Sequence, residues 1–291
     1  VYEDMSRIVI RAKTAGFCMG VDLALRKLDK VVERCAGKEP ICTLGPIIHN
    51  PQVLNHYARQ GVTQVDAPED VPEGSCVVIR AHGVPLEVQR VLQERGMHIV
   101  DATCPKVKKA QMLIADQTGN GRRLILFGES DHPEVAGLLS YAGSHARVVE
   151  QVDSVQGLDL GADRSYFLAA QTTQDRTEFQ KVKWRLEKRL GTDFPVLDTI
   201  CDATRERQEE AIRIARQVEF MIVVGGFSSG NTRRLAKVVQ EQGVASVHIE
   251  KVKDLPDQAL QGVKRVGLTA GASTPKEVID AVHKWAKESL S

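Results

Sequence analysis

The sequence predicts an α/β protein assembled from three similar lobes. Two observations carry that prediction. Short apolar runs repeatedly end in a polar, Gly- or Pro-containing loop and are followed by a helix-like apolar pattern. Within that pattern, a cysteine stands at the break between apolar run and helix three times, at Cys18, Cys104 and Cys201, with near-equal spacing.

The order of elements follows from the same signals. Residues 7–12 form a strand; after Cys18 a helix carries Val21, Ala24, Leu25, Leu28, Val31 and Val32 on one face. Residues 41–44 are a short strand, and the helix after the loop at 45–51 stops at Gly61. Residues 77–80 are a strand whose following helix stops at Gly96. The run 97–100 leads to Cys104, and Pro105 opens a helix, since the missing N–H of proline is unpaired in a first turn anyway. Residues 1–104 therefore group as an N-terminal strand plus a first lobe. The second lobe, residues 105–200, has strands at 123–127, 147–149 and 166–170, and a helix from about 177 to 190 that ends at Gly191. Residues 195–200 read as the strand before Cys201. The third lobe, residues 201–291, has an all-apolar strand at 220–224 of the buried parallel kind, strands at 247–250 and 265–269, and a final helix.

Composition excludes several function classes. In 291 residues the formal net charge is +1 and aromatics are 4%, which argues against nucleic acid as a partner. No apolar run reaches the roughly 20 residues of a membrane span. The first five residues lack a signal-peptide layout, so the expected location is the cytoplasm. Among six cysteines, Cys35, Cys42 and Cys76 lie beside apolar residues without the strand–Cys–helix context and are expected as buried core thiols.

The other three cysteines point to a shared metal. A helix N-terminus stabilises negative charge and so favours a thiolate. Three thiolates could hold zinc with a fourth ligand, or a four-iron cluster with one iron left open. Closed zinc sites usually draw ligands in close pairs; these three are far apart, which favours iron and sulfur. His49, His82 and His132 each follow a strand in a Gly/Pro-containing loop and suit a common anionic ligand. Glu134 is either a first-turn acid favoured by the helix dipole or a proton donor inside a site. Thr172 and Thr173 could be a helix-capping pair. The loop Ser228-Ser229-Gly230-Asn231-Thr232 lacks the P-loop order yet resembles a phosphate nest, and Ser273 lies in another such loop.

Taken together, Gly16-Phe17-Cys18-Met19-Gly20-Val21, Ala81-His82-Gly83-Val84, Ala102-Thr103-Cys104-Pro105, His132-Pro133-Glu134-Val135, Gln171-Thr172-Thr173, Ile200-Cys201 with Ala203-Thr204 and Arg207-Gln208, and Ala270-Gly271-Ala272-Ser273-Thr274-Pro275 resemble the 4-hydroxy-3-methylbut-2-enyl diphosphate reductases, the IspH/LytB family. The motifs run in order over nearly the whole chain. The resemblance implies a trefoil of three α/β lobes around a central cavity, with a [4Fe-4S] cluster held by Cys18, Cys104 and Cys201; the cluster can appear as 3Fe-4S if the open iron is lost. It implies the last, reductive step of the methylerythritol phosphate route, giving isopentenyl and dimethylallyl diphosphate, with electrons from a ferredoxin or flavodoxin. It implies that His49, His82, Ser229, Gly230, Asn231 and Ser273 hold the diphosphate with His132 beside them, that Glu134 supplies protons, and that Thr172 and Thr173 lie near the substrate, Thr172 by its hydroxyl. Phe227-Ser228 departs from the Lys-Asn of many members, and Gly230 from the Ser of some. The rival from another class is a non-catalytic, metal-stabilised protein that binds a phosphorylated ligand.

Overall fold

The computed structural model describes residues 7–35, 37–161, 165–256 and 258–290; the first five residues, read above for a leader, lie outside them. The first third of the chain carries β1 (Ile8–Arg11), α1 (Met19–Cys35), β2 (Ile41–Leu44), α2 (Pro51–Ala58), β3 (Val62–Val65), β4 (Cys76–Ile79), α3 (Leu86–Glu94) and β5 (His98–Asp101). The middle third carries α4 (Pro105–Gly119), β6 (Arg123–Phe127), α5 (Pro133–Leu139), β7 (Arg147–Val149), β8 (Tyr166–Ala170) and α6 (Arg176–Leu190). The last third carries α7 (Asp202–Ala215), β9 (Phe220–Val224), α8 (Gly230–Gln240), β10 (Ala245–Ile249), β11 (Arg265–Ala270) and α9 (Lys276–Leu290).

These strands form three sheets, in the orders β3-β2-β4-β5, β7-β6-β8 and β1-β11-β9-β10. Every ladder among the described residues is parallel. The α/β class is thus as the sequence predicts. Parallel strands are joined by helical crossovers, so both faces of a central strand are covered. That is why β4, and all but the first residue of β6 and of β9, are buried end to end.

The chain folds as two compact units. One takes the described parts of residues 22–47 and 54–201 and holds the first two sheets. In it Ile125, Phe127, Leu168 and Phe179 pack one face of the β6–β8 sheet, while Leu124, Leu126, Val135 and Phe167 pack the other. The second unit takes the described parts of residues 1–21, 48–53 and 202–291 and holds the third sheet. There Ile222, Val224, Leu268 and Ile279 fill one face, and Ala211, Met221, Val223 and Leu235 the other.

Four local features differ from the sequence reading. The opening strand, grouped above with residues 1–104, pairs with β11 at the edge of the C-terminal sheet, Ile8 opposite Arg265. A strand Val62–Val65, too short and polar to stand out, pairs with β2. The cap of α6 is Asp175, which accepts from Glu178 N at 2.7 Å; Thr172 and Thr173 precede it and do not cap. Residues 195–200 are not a strand but an extended segment with one bridge, Leu168 to Val196. Leu168 N donates to Pro195 O at 2.9 Å and Leu197 N to Leu168 O at 2.8 Å. Beyond that the Thr199 hydroxyl replaces the ladder, accepting from Ala170 N at 2.8 Å and donating to Ala170 O at 2.7 Å.

That hydroxyl satisfies two buried backbone groups of β8 just before Cys201. Thr199→Val is expected to leave both unpaired and to lower stability by about 2 kcal/mol or more. Urea unfolding measured beside wild type checks this; an unchanged midpoint would show the hydroxyl to be dispensable.

Candidate active site

The three cysteines singled out by sequence all stand immediately before a helix. Cys104 is the N-cap residue of α4, with Pro105 at the first helical position, and its N–H donates to Ala81 O at 2.9 Å. Asp101 accepts from Thr103 N at 2.8 Å and pairs with Lys108, fixing the turn into the cysteine. Burial pushes the Asp101 carboxyl up, but Lys108 and the Thr103 donors outweigh it and hold the group below the usual range. Cys201 precedes α7 and donates its N–H to Thr172 O at 2.9 Å; Cys18 precedes α1 and donates to Ala272 O at 3.2 Å. All three are half-buried, whereas Cys35, Cys42 and Cys76 are buried.

In the larger unit, a buried carboxyl lies beside the Cys201 turn. His132 caps α5, its Nδ1 accepting from Glu134 N at 3.1 Å. An accepting Nδ1 leaves Nε2 as the proton-bearing nitrogen of the neutral ring. The Glu134 side chain then turns inward and is 1% exposed. Its Oε1 accepts from Thr172 N at 2.6 Å and its Oε2 meets the Thr172 hydroxyl at 3.0 Å. Burial disfavours the charged form and raises the Glu134 pKa to about 7, against the pull of the two Thr172 donors. The His82 ring stands edge-on to that of His132, centroids 5.3 Å apart. Gly83 next to it has φ +72°, and a Cβ there would lie 3.0 Å from Gln111 Nε2 and 3.2 Å from Thr103 Cγ2. Glycine therefore lets the His82 loop settle against the residue preceding Cys104. Thr173 does not join this group; its hydroxyl lies 3.3 Å from Gln171 Nε2.

In the second unit, the loops after β9 and β11 meet the segment at His49. Ser229 caps α8, and its hydroxyl lies 3.4 Å from that of Ser273. Ser273 Oγ donates to His49 O at 3.3 Å. Gly226 allows this closeness, because a Cβ there would sit 2.6 Å from His49 O. Gly230 and Asn231 open α8, both buried, and Asn231 Nδ2 makes no hydrogen bond to protein. A buried amide donor without a partner at a helix start suits an anion. Phe227 packs its ring on His248 at 4.8 Å, while its N–H donates to Glu250 at 2.7 Å.

Two residues escape the sequence reading. Arg207, 3% exposed, donates to Thr14 O, to Ala270 O at 2.6 Å and to Gly16 O at 2.9 Å. Glu210 accepts from Lys13 N at 3.0 Å, Thr14 N at 2.8 Å and Thr14 Oγ1 at 2.7 Å. Burial raises the Glu210 carboxyl, but these donors more than offset it, leaving it below its usual range. The helix that follows Cys201 thus clamps the loop leading to Cys18. Arg207-Gln208 stands among the motifs, but one charge among many on a helix discloses no role.

A family model described as LytB protein matches residues 9–287. The chain belongs to the LytB family. A 4-hydroxy-3-methylbut-2-enyl diphosphate reductase of Nitratidesulfovibrio vulgaris strain Miyazaki F is 58% identical over 282 residues, 97% of this chain and 99% of that protein. One of the same name from Solidesulfovibrio magneticus is 54% identical over 95% of this chain and 98% of its own length. The solved E-1-hydroxy-2-methyl-but-2-enyl-4-diphosphate reductase of Plasmodium falciparum superposes with TM-score 0.91 at 27% identity, over 96% of this chain and 88% of that one. A second solved structure, described as (E)-4-hydroxy-3-methyl-but-2-enyl diphosphate reductase, the terminal enzyme of the non-mevalonate pathway, gives 0.68 at 37% identity, over 97% and 99%. The LytB family implies an iron–sulfur cluster. The donor set of this LytB chain fits one: three half-buried thiols, each at a helix N-terminus and each anchored through its own backbone N–H.

Proposed function

We propose that this LytB-family oxidoreductase removes the allylic hydroxyl of (E)-4-hydroxy-3-methylbut-2-enyl diphosphate, giving isopentenyl and dimethylallyl diphosphate at the end of the methylerythritol phosphate route. The observation that carries the reading is a buried carboxyl poised near neutrality, Glu134, joined through Thr172 to the turn that presents Cys201. Replacing the hydroxyl by hydrogen takes two electrons and two protons, one to the oxygen that leaves as water and one to carbon, and an unassisted hydroxide is a poor leaving group.

Cys18, Cys104 and Cys201 would hold the cluster, of the [4Fe-4S] type. When bound it supplies the electrons and, at the iron with no protein thiolate, a Lewis acid for the substrate oxygen. A ferredoxin or flavodoxin delivers the electrons. The protein's own share is positioning and proton supply. Ser229, Asn231 and Ser273, with the backbone N–H groups at Gly230, bind diphosphate oxygens, and His49 and His82 with His132 add imidazole donors. Glu134 holds a proton at Oε2 and passes it through the Thr172 hydroxyl to the departing oxygen. We assign Thr173, the next residue along the chain, a further contact with the substrate.

The test is an anaerobic assay with a chemically reduced dye. Dye oxidation only when the allylic diphosphate is present, with both isomeric products formed, is the expected result. Binding of the diphosphate without dye oxidation would instead support a metal-stabilised binding protein.

A further inference from the structure

A second set of metal-ligating side chains lies at the other end of the first sheet. Cys35 closes α1, and the chain turns back so that Glu39 N donates to Cys35 O at 3.2 Å. This places Cys35 Sγ 2.6 Å from Glu39 Oε1. Cys76 opens β4, and its Sγ lies with those two donors in a group whose ligand atoms are all within 4.8 Å of one another. His98 opens β5 as the register partner of Cys76, and its Nδ1 is 3.9 Å from Glu39 Oε1. These residues sit where the strands begin, whereas His82 and Cys104 follow the points where β4 and β5 end. Four residues of strand, roughly 13 Å, separate the two ends. Nothing in the proposed reduction uses this cluster.

We propose that Cys35, Glu39, Cys76 and His98 form a structural metal site that takes zinc. Two thiolates, an imidazole and a carboxylate are a four-donor set of the kind that binds zinc tetrahedrally, at about 2.3 Å to sulfur and about 2.0 Å to nitrogen or oxygen. The two sulfurs are buried and fixed by helix and sheet. Glu39 and His98 stand at the rim, with side chains 31% and 47% exposed, and adjust by rotation. Binding releases the two thiol protons to solvent. The bound site carries one net negative charge, and the Arg34 guanidinium, 3.8 Å from Cys76 Sγ and 3.2 Å from His98 Nε2, balances it. The metal would staple the end of α1, the helix that starts beside Cys18, to the edge of the sheet.

The experiment uses the anaerobically purified holoenzyme, incubated with zinc chloride and desalted. Elemental analysis is expected to find one zinc per chain with iron content unchanged, and zinc X-ray absorption to find two sulfurs at about 2.3 Å. Cys76→Ala should abolish retention. Because a buried cysteine variant can misfold, Glu39→Gln and His98→Ala, both at the rim, provide an independent check and should each weaken zinc affinity by more than about tenfold. The proposal is overturned by no retained zinc, by zinc gained at the expense of iron, by equal retention in both rim variants, or by a Cys35–Cys76 disulfide in the wild-type protein.

Discussion

Glu134→Gln is expected to keep the iron–sulfur cluster and the affinity for diphosphate while turnover falls about 10²- to 10⁴-fold. The amide preserves the volume of a side chain that is 1% exposed, and its oxygen can still accept from Thr172 N. What it lacks is a transferable proton. The same residue sets a pH signature. Because burial raises its pKa to about 7, wild-type Glu134 is protonated and competent below that value. As pH rises through 7 the donor is lost, so the limiting rate should fall toward tenfold per pH unit. The variant should lack that limb. Steady-state rates across pH 6–9 with reduced dye, alongside calorimetric titration of the diphosphate, test both parts. Full activity in the variant, or a wild-type rate that rises with pH, removes Glu134 from the proton path.

Cys104→Ser should abolish cluster binding and activity together without unfolding the chain. Serine is a favoured N-cap residue, and the backbone bond from residue 104 to Ala81 O survives the exchange. Only the soft thiolate is removed, so circular dichroism should stay near wild type while iron and activity disappear. That separation matters, because a helix that merely lost its cap would also lose signal. A variant with unchanged iron would remove Cys104 from the ligand set.

Much of the fold was legible because buried parallel strands are written as continuous apolar runs. The run Phe220–Val224 is such a case, and the stop of α6 was marked by Gly191, which adopts φ +83°. The loops with His82, His132 and Thr172 were legible for the same reason, since in such sheets the polar residues after a strand line the binding face. What stayed hidden depends on contacts far apart in sequence. The partner of the opening strand is decided by β11, more than two hundred residues later. Thr199 takes over a strand's hydrogen bonds with a side chain, which no periodicity records. Arg207 and Glu210 lie on a strongly charged helix that resembles a solvated face, yet both are buried on the loop before Cys18. Asp175, not the threonines before it, caps α6, because the cap is fixed by which side chain reaches the third helical N–H.

The proposed reduction requires Cys18, Cys104 and Cys201 to grip one iron–sulfur cofactor. It is tested most directly by iron and acid-labile sulfide analysis of anaerobically purified wild-type protein, with electron paramagnetic resonance before and after reduction. The expected result is brown protein with iron and sulfide in near-equal amounts and a cluster signal that Cys104→Ser eliminates. Colourless wild-type protein without sulfide, active or not, would contradict it.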